Sequence, residues 1–126
     1  MVRKLIAPLA VILMLPGLAG CAPTSAAESE PSVTVSDGTI LLDVRTPEEF
    51  SAGHLEGALR LDLNGGEFAA ALPNLDADAE YLVYCRSGNR SGQAIALMAE
   101  RGITATTNLG SLEQAAAATG LAIVTD

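Results

Sequence analysis

One cysteine with two arginines close behind it is the part of this sequence best suited to covalent chemistry. The stretch reads Cys85-Arg86-Ser87-Gly88-Asn89-Arg90-Ser91. The thiolate is the nucleophilic form of cysteine, and cationic neighbours and hydrogen-bond donors favour it over the thiol. A tight loop before a helix supplies backbone N–H donors and the positive end of the helix dipole. The stretch therefore predicts a reactive cysteine in an anion-binding loop.

The elements on either side of this loop must hold it in place. The apolar run Tyr81-Leu82-Val83-Tyr84 predicts a strand that ends at Cys85, and residues 93–101 have the pattern of a helix that stops at Gly102. A buried structural thiol is the alternative for Cys85, but a Gly-containing loop flanked by arginines is poorly suited to apolar packing. We therefore expect a strand, a loop and a helix with the cysteine at the end of the strand.

The rest of the chain alternates strand and helix patterns. Residues 39–44 form a nearly continuous apolar run, typical of a strand buried on both faces. Thr46 is a good N-cap, with Pro47 after it and Glu49 completing a capping box. Further segments are predicted as strands at 33–35, 58–63 and 103–109, and as helices at 67–75 and 112–119. This order indicates an α/β fold with a mainly parallel sheet and helices on both faces, and such sheets bind ligands beyond the carboxyl ends of their strands.

The first 32 residues differ from the rest. Arg3 and Lys4 precede an uncharged apolar run that ends in Leu-Ala-Gly-Cys, which predicts a signal peptide over residues 1–20. The ending resembles the bacterial lipobox, in which the cysteine is lipidated, so Cys21 is the predicted lipidation site; an ordinary secretory signal is the alternative. Residues 21–32 then form a tether and residues 33–126 the domain. A diacylated Cys21 would anchor the protein stably on the extracytoplasmic face of the cell membrane.

Composition limits the choice of partners. The 126-residue chain has a formal charge of −8, and loss of Arg3 and Lys4 with the leader leaves five basic against fifteen acidic residues. An acidic surface argues against nucleic acid as a partner. We expect a monomeric domain, with Cys85 as its only free thiol once Cys21 carries lipid.

Three stretches together resemble the rhodanese family, the thiosulfate sulfurtransferases and their single-domain relatives. They are Leu41-Leu42-Asp43-Val44-Arg45-Thr46-Pro47-Glu48-Glu49-Phe50, Gly53-His54-Leu55-Glu56-Gly57-Ala58, and Tyr84 to Ser91. The resemblance implies a three-layer α/β/α fold around a sheet of about five strands. It also implies that Cys85 takes up sulfane sulfur as a persulfide and that residues 86–90 cradle the persulfide and an anionic donor. The chain departs from the family in its short N-terminal element and in having no Trp after Gly110.

The resemblance implies a double displacement without metal or organic cofactor. Cys85 would take sulfur from thiosulfate or a related donor and pass it to a thiol or cyanide. The guanidinium of Arg90 is the expected anion-binding group, whereas Arg86 either binds the anion or sets only the local field. The hydroxyls of Ser87 and Ser91 either bind the anion or cap the helix.

Other functions remain open from the sequence. A persulfide carrier would load sulfur without turnover, and a vestigial loop would hold an unreactive thiol. In the phosphatases and arsenate reductases that share this fold, the corresponding loop has five residues between its cysteine and its arginine. Here four residues separate Cys85 from Arg90. Asp43 and Arg45 are predicted to form a structural pair at a strand end, and His54 is predicted to have a hydrogen-bonded structural role.

Overall fold

The computed structural model describes residues 31–125, and the elements follow one another in the alternating order expected from the sequence. The predicted signal peptide, the lipidation site Cys21 and nearly all of the tether lie outside the described residues. The elements are β1 (Thr39–Asp43), α1 (Pro47–Ala52), β2 (His54–Leu55), β3 (Leu59–Arg60), α2 (Glu67–Ala71), a 3-10 turn (Leu72–Asn74), β4 (Glu80–Tyr84), α3 (Asn89–Glu100), β5 (Thr106–Gly110), α4 (Leu112–Thr119) and β6 (Ile123–Val124).

Four parallel strands form the main sheet in the order β3-β1-β4-β5. The central pair β1 and β4 runs in register from Thr39 beside Glu80 to Asp43 beside Tyr84. Both strands therefore end at the same edge, which is where the cysteine loop begins. The predicted fold class is confirmed, although the sheet has four strands among residues 31–125 where the family resemblance implied about five.

Apolar side chains cover both faces of this sheet. One core cluster joins Leu42 and Val83 to α2 and α3 through Phe68, Ala94 and Met98. The other joins Leu41 and Leu82 to Leu55 and to Ala115 of α4. Alternate residues of β1 and β4 thus serve opposite layers, as expected for strands buried on both sides.

The ends of the chain depart from the sequence prediction. Residues 33–35 form no strand, because the N–H of Val33 bonds instead to the carbonyl of Ala118, 3.0 Å away, and the segment packs on α4. Residues 58–63 are regular only at Leu59–Arg60, although Leu61 still donates to the Asp43 carbonyl at 2.8 Å. A short antiparallel sheet of β2 and β6, which the sequence did not indicate, joins residues 54–55 to the C-terminal segment.

Local capping signals were sufficient to predict where two helices begin or end. Thr46 and Glu49 form the predicted capping box at the start of α1. Gly120 ends α4 in the left-handed region, with φ of 73°. Helix α3 begins at Asn89, four residues before its predicted start, because the last part of the cysteine loop already forms its first turn. The end of the loop and the start of α3 are therefore the same residues.

Candidate active site

The loop between β4 and α3 holds Cys85 at the edge of the core. The side chain of Cys85 is fully buried, and its backbone N–H donates to the Gly110 carbonyl of β5 at 2.9 Å. Gly88 precedes α3 with φ of 94° and ψ of −9°. A Cβ at this position would lie 3.3 Å from the Cα of Gly110, and L side chains rarely adopt this conformation. Glycine is therefore required for the loop to turn so close to β5.

Hydrogen-bond donors converge on the sulfur of Cys85. The Gly88 N–H lies 2.9 Å from Sγ, and the hydroxyl of the buried Ser91 lies 3.4 Å from it. Burial acts to raise the pKa of the Cys85 thiol, but hydrogen bonds oppose it, led by the Ser91 hydroxyl and followed by the N–H groups of Ser91, Ser87 and Gly88. The hydrogen bonds prevail and lower the pKa from its ordinary value. The loop thus favours the thiolate, the nucleophilic form.

Arg90 lies beside this loop but is bound to a carboxylate. Its Nη1 and Nη2 donate to the two carboxylate oxygens of Glu49 at 2.8 and 2.9 Å. These bonds lower the pKa of Glu49 to about 2, and the carboxylate raises the pKa of Arg90. The sequence indicated Glu49 only as a capping residue, and the structure shows that the same side chain also binds the loop arginine. The charge of Arg90 still acts on the sulfur, because Cys85 contributes to the raised pKa of Arg90.

The other predicted loop residues face outward. The side chains of Arg86, Ser87 and Asn89 are exposed. Arg86 lines a cleft of about 230 Å³ together with Arg45, Glu49, Ala52, Leu112 and Glu113. Ser87 contributes its backbone N–H to the lowered thiol pKa rather than its hydroxyl. The exposed guanidinium of Arg86 is therefore available to an anion that enters this cleft.

Asp43 and Arg45, at the end of the neighbouring strand, form the structural pair predicted from the sequence. Arg45 Nη2 lies 2.7 Å from Asp43 Oδ2 and 2.6 Å from the carbonyl of Gly53. The guanidinium also stacks over the ring of Tyr84 at 5.5 Å. Both charged side chains are nearly or fully buried, and their partners are all within the protein. The pair links the end of β1 to Gly53, which follows α1, because Arg45 bonds to both Asp43 and the Gly53 carbonyl.

His54 also has the structural contacts that were predicted for it. Its Nδ1 lies 2.9 Å from the carbonyl of Phe50, and its ring stacks on that of Phe50 with centroids 3.6 Å apart. These contacts tie the end of α1 to β2. Within residues 31–125, no three side chains of the metal-binding types form a group that could hold a metal ion.

Asn108 of β5 is a site residue that sequence reasoning missed. It accepts a hydrogen bond from Ser91 Oγ at 2.7 Å and donates one to the Gly88 carbonyl at 3.0 Å. It lies in a Thr-rich stretch that predicted only a weak strand, 17 residues beyond Ser91. No local signal connects it with the loop, since only the pairing of β5 with β4 brings the two together.

Comparison with known proteins agrees with this geometry. Residues 30–118 match the Rhodanese-like domain family. The chain is 35% identical over 75 residues to the thiosulfate sulfurtransferase PspE of Escherichia coli (strain K12), a match that covers 60% of this chain and 72% of PspE. It is 34% identical over 89 residues to a sulfurtransferase of Allochromatium vinosum, covering 71% of this chain and 81% of that protein. The thiosulfate sulfurtransferase GlpE of Pseudomonas putida is 38% identical over 68 residues, which are 54% of this chain and 60% of GlpE, less than two thirds of its length.

Solved structures give the same result for the fold. A rhodanese with anions from E. coli superposes with a TM-score of 0.56 and 31% identity, covering 70% of this chain and 99% of that one. A rhodanese-related protein from Thermoplasma volcanium shares the fold with a TM-score of 0.59 and 23% identity, over 77% of this chain and all of that one. The chain belongs to the rhodanese-like domain family, as the matching family model, the loop and the sheet together show.

Proposed function

We propose that the protein is an extracytoplasmic, membrane-anchored sulfurtransferase that moves sulfane sulfur from thiosulfate or a related donor to a thiol-type acceptor through a persulfide on Cys85. Rhodanese-type sulfurtransfer is the enzyme class of the relatives PspE and GlpE, which are thiosulfate sulfurtransferases. The observation that carries the proposal here is the convergence of the Gly88 N–H and the Ser91 hydroxyl on the sulfur, with the lowered pKa of the thiol.

The first step follows from the stabilised thiolate. The Cys85 thiolate attacks the outer sulfur of thiosulfate, a new S–S bond forms, and the old S–S bond breaks with its electron pair on the departing sulfite. The outer sulfur then stays bonded to Cys85 as a persulfide, about 2.0 Å from Sγ. The backbone donors of the loop then stabilise the charge on the persulfide, as preorganised N–H groups do in other anion sites.

The second step returns the enzyme to its starting state. A thiolate or cyanide attacks the outer sulfur of the persulfide, and Cys85 leaves as the thiolate that the loop stabilises. Arg86 supports both steps, because its exposed guanidinium offers positive charge at the cleft on an otherwise acidic protein. No proton has to be removed by a base once the thiolate exists, so His54 needs no catalytic role.

Loop geometry also favours sulfur over phosphate chemistry. Four residues separate Cys85 from Arg90, and the guanidinium of Arg90 donates to Glu49 instead of standing free for a tetrahedral oxyanion. A site for phosphate transfer needs its arginine on the transferring group. The phosphatase and arsenate reductase alternatives therefore have little support in this site.

A persulfide carrier is the second candidate, and the Arg90–Glu49 pair favours it. A guanidinium that is bound by a carboxylate attracts a free anion less strongly, so thiosulfate would bind weakly and a partner protein would deliver the sulfur. Steady-state thiocyanate formation from thiosulfate and cyanide separates the two candidates. Many turnovers per Cys85 support the enzyme, a single turnover supports the carrier, and a Cys85→Ser variant with equal activity contradicts both.

The membrane anchor rests on the sequence of the leader, in which Cys21 follows Leu-Ala-Gly. No helix in the described part of the chain is long and apolar enough to cross a membrane. Expression of the full chain in bacteria fed an alkyne-tagged fatty acid tests the anchor. Label on the native chain and none on a Cys21→Ser variant supports lipidation, whereas equal labelling of the two contradicts it.

A further inference from the structure

A bulge in β5 sets the position of Asn108 under the cysteine loop. Val83 of β4 pairs with Asn108, but the next residue, Tyr84, pairs with Gly110, so Leu109 is an extra residue in the ladder. Leu109 is buried in the core cluster that contains Leu82 and Tyr84. Bulges of this kind often redirect a side chain beside an active site. Here the bulge places Asn108 and Gly110 against the loop while Leu109 fills the core.

Both polar atoms of the Asn108 amide form hydrogen bonds, to the cysteine loop, to α3 and to β5. Its Nδ2 donates to the Gly88 carbonyl at 3.0 Å. Its Oδ1 accepts from Ser91 Oγ at 2.7 Å and from the Gly110 N–H at 3.0 Å. Gly88 and Ser91 are also the two residues whose N–H and hydroxyl lie within hydrogen-bond distance of the Cys85 sulfur. One exposed side chain therefore bonds to both residues that donate to the nucleophile, to Ser91 at its hydroxyl and to Gly88 at its carbonyl.

The hydroxyl of Ser91 carries a single proton, which it cannot give fully to two acceptors. It lies 2.7 Å from Asn108 Oδ1 and 3.4 Å from Cys85 Sγ. While Cys85 is a thiol, the Ser91 hydroxyl donates its proton to Asn108 Oδ1. When the thiol proton leaves to solvent, the hydroxyl can rotate toward the sulfur anion, and Oδ1 keeps the N–H of Gly110. Ionisation thus leaves no polar atom of this group without a partner.

We propose that Asn108 is a positioning residue of the cysteine loop, which holds Gly88 through its carbonyl and shares the hydroxyl proton of Ser91 with the sulfur of Cys85. This inference rests on the proposed function of Cys85 as the sulfur acceptor. Asn108 acts through Gly88 and Ser91, because it reaches the nucleophile only by way of their groups. Its effect is on how readily the thiolate forms.

Other charged groups around the sulfur have to be kept constant in a test of this inference. Arg90 of α3 carries a positive charge that interacts with Cys85, Glu49 of α1 binds it, and Asp62 after β3 also acts on its charge. Arg86 lies next to Cys85 in the loop. None of these residues bonds to Asn108 in the described part of the chain, so substitutions at Asn108 leave them in place.

The substitution Asn108→Asp tests the inference on the full-length protein in detergent. An aspartate has the same shape, but its oxygen would replace the nitrogen that lies 3.0 Å from the Gly88 carbonyl, and it adds negative charge near the sulfur. Both effects oppose the thiolate. The midpoint of the pH dependence of Cys85 alkylation by iodoacetamide should rise by about one pH unit. The matched control is Thr107→Asp, an exposed position one residue away, which should leave the midpoint nearly unchanged. Equal midpoints for Asn108→Asp and the native protein would overturn the inference.

A double-substitution cycle keeps the inference testable if Asn108→Asp does not fold. Ser91→Ala removes the hydroxyl donor and should raise the alkylation midpoint. It should raise it more in the Asn108→Ala background, where the hydroxyl no longer has to share its proton with Oδ1. Equal effects in the two backgrounds would overturn the inference. Alkylation requires no sulfur transfer, so this result is independent of whether thiosulfate is the donor.

Discussion

Two neighbouring strands end at the same edge of the sheet and lead into polar groups with opposite properties. At the end of β1, the carboxylate of Asp43 and the guanidinium of Arg45 bind each other, with the Gly53 carbonyl as a further acceptor. After β4, the donors of the loop converge on Cys85, whose sulfur has no cationic partner bonded to it among residues 31–125. The Asp43–Arg45 pair is bonded within the protein and has a structural role, whereas the donors around Cys85 stabilise a thiolate that can react. Whether a polar group at a strand end is structural or reactive therefore depends less on its residue type than on whether it is already bonded within the protein.

The largest expected effect comes from removing the cation of the Asp43–Arg45 pair. Arg45→Met would leave the carboxylate of Asp43 buried without a cation, and a loss of about 3–5 kcal/mol in the free energy of unfolding is typical of such a change. The alkylation midpoint of Cys85 should barely move, since Arg45 makes no bond to the sulfur. Urea unfolding measures the first quantity. The control is Arg60→Met, whose partly exposed pair with Glu67 should contribute less than about 1 kcal/mol. A similar loss of stability for both variants would show that burial does not set the contribution of these ion pairs.

Gly88→Ala should damage the loop without opening the Asp43–Arg45 pair. The residue has φ of 94°, and the new Cβ would lie 3.3 Å from Gly110 Cα, so the loop must shift. We expect a stability loss of about 1–2 kcal/mol and at least a roughly tenfold slower loading of sulfur.

Gly57→Ala is the matched control for Gly88→Ala. Gly57 also has a positive φ, 86°, but an added Cβ there would meet nothing within 4 Å. Gly88→Ala should lose at least as much stability as Gly57→Ala, and only Gly88→Ala should load sulfur slowly. Normal loading by Gly88→Ala would show that the close approach to β5 is irrelevant to the chemistry.

Glu49→Gln should leave the guanidinium of Arg90 without a carboxylate partner. The glutamine oxygen still accepts from Thr46, but the charge of Arg90 is no longer neutralised. The KM for thiosulfate should fall roughly threefold at low salt and less at high salt. Steady-state kinetics of the full chain measure it, with the exposed Glu48→Gln as control. An unchanged KM would mean that the charge of Arg90 does not reach the donor site.

Acid should weaken the Arg90–Glu49 pair, with the smallest effect of the four. Arg90 lowers the pKa of Glu49 in the folded protein to about 2, below its value in the unfolded chain. The pair therefore stabilises the fold fully above the unfolded pKa, and this contribution is lost as the pH falls toward 2. The stability difference between the native protein and Glu49→Gln, less than about 1 kcal/mol at neutral pH, should shrink by pH 3 in urea unfolding. A difference that grows in acid would contradict the assignment.

Features set by neighbouring residues could be predicted from the sequence. The strand before Cys85 and the capping box of Thr46 and Glu49 depend on spacings of a few residues, and the structure confirms both. Cys85 at the carboxyl end of a central strand followed from the alternation of strands and helices.

Features that depend on distant pairing could not be predicted. Arg90 and Glu49 are 41 residues apart, and nothing in either segment indicates that the capping carboxylate would also bind the loop arginine. Asn108 reaches the loop through a one-residue bulge in β5, which the sequence does not mark. The short pairing of β2 with β6 joins two-residue segments that are too brief to show a pattern.

Intact mass shows whether Cys85 takes up sulfane sulfur. The full-length protein is reduced, exposed to thiosulfate and weighed before and after cyanide, beside Cys85→Ser. We expect a gain of one sulfur atom on the native protein only, and cyanide should remove it. No gain on the native protein, or an equal gain on Cys85→Ser, would contradict it.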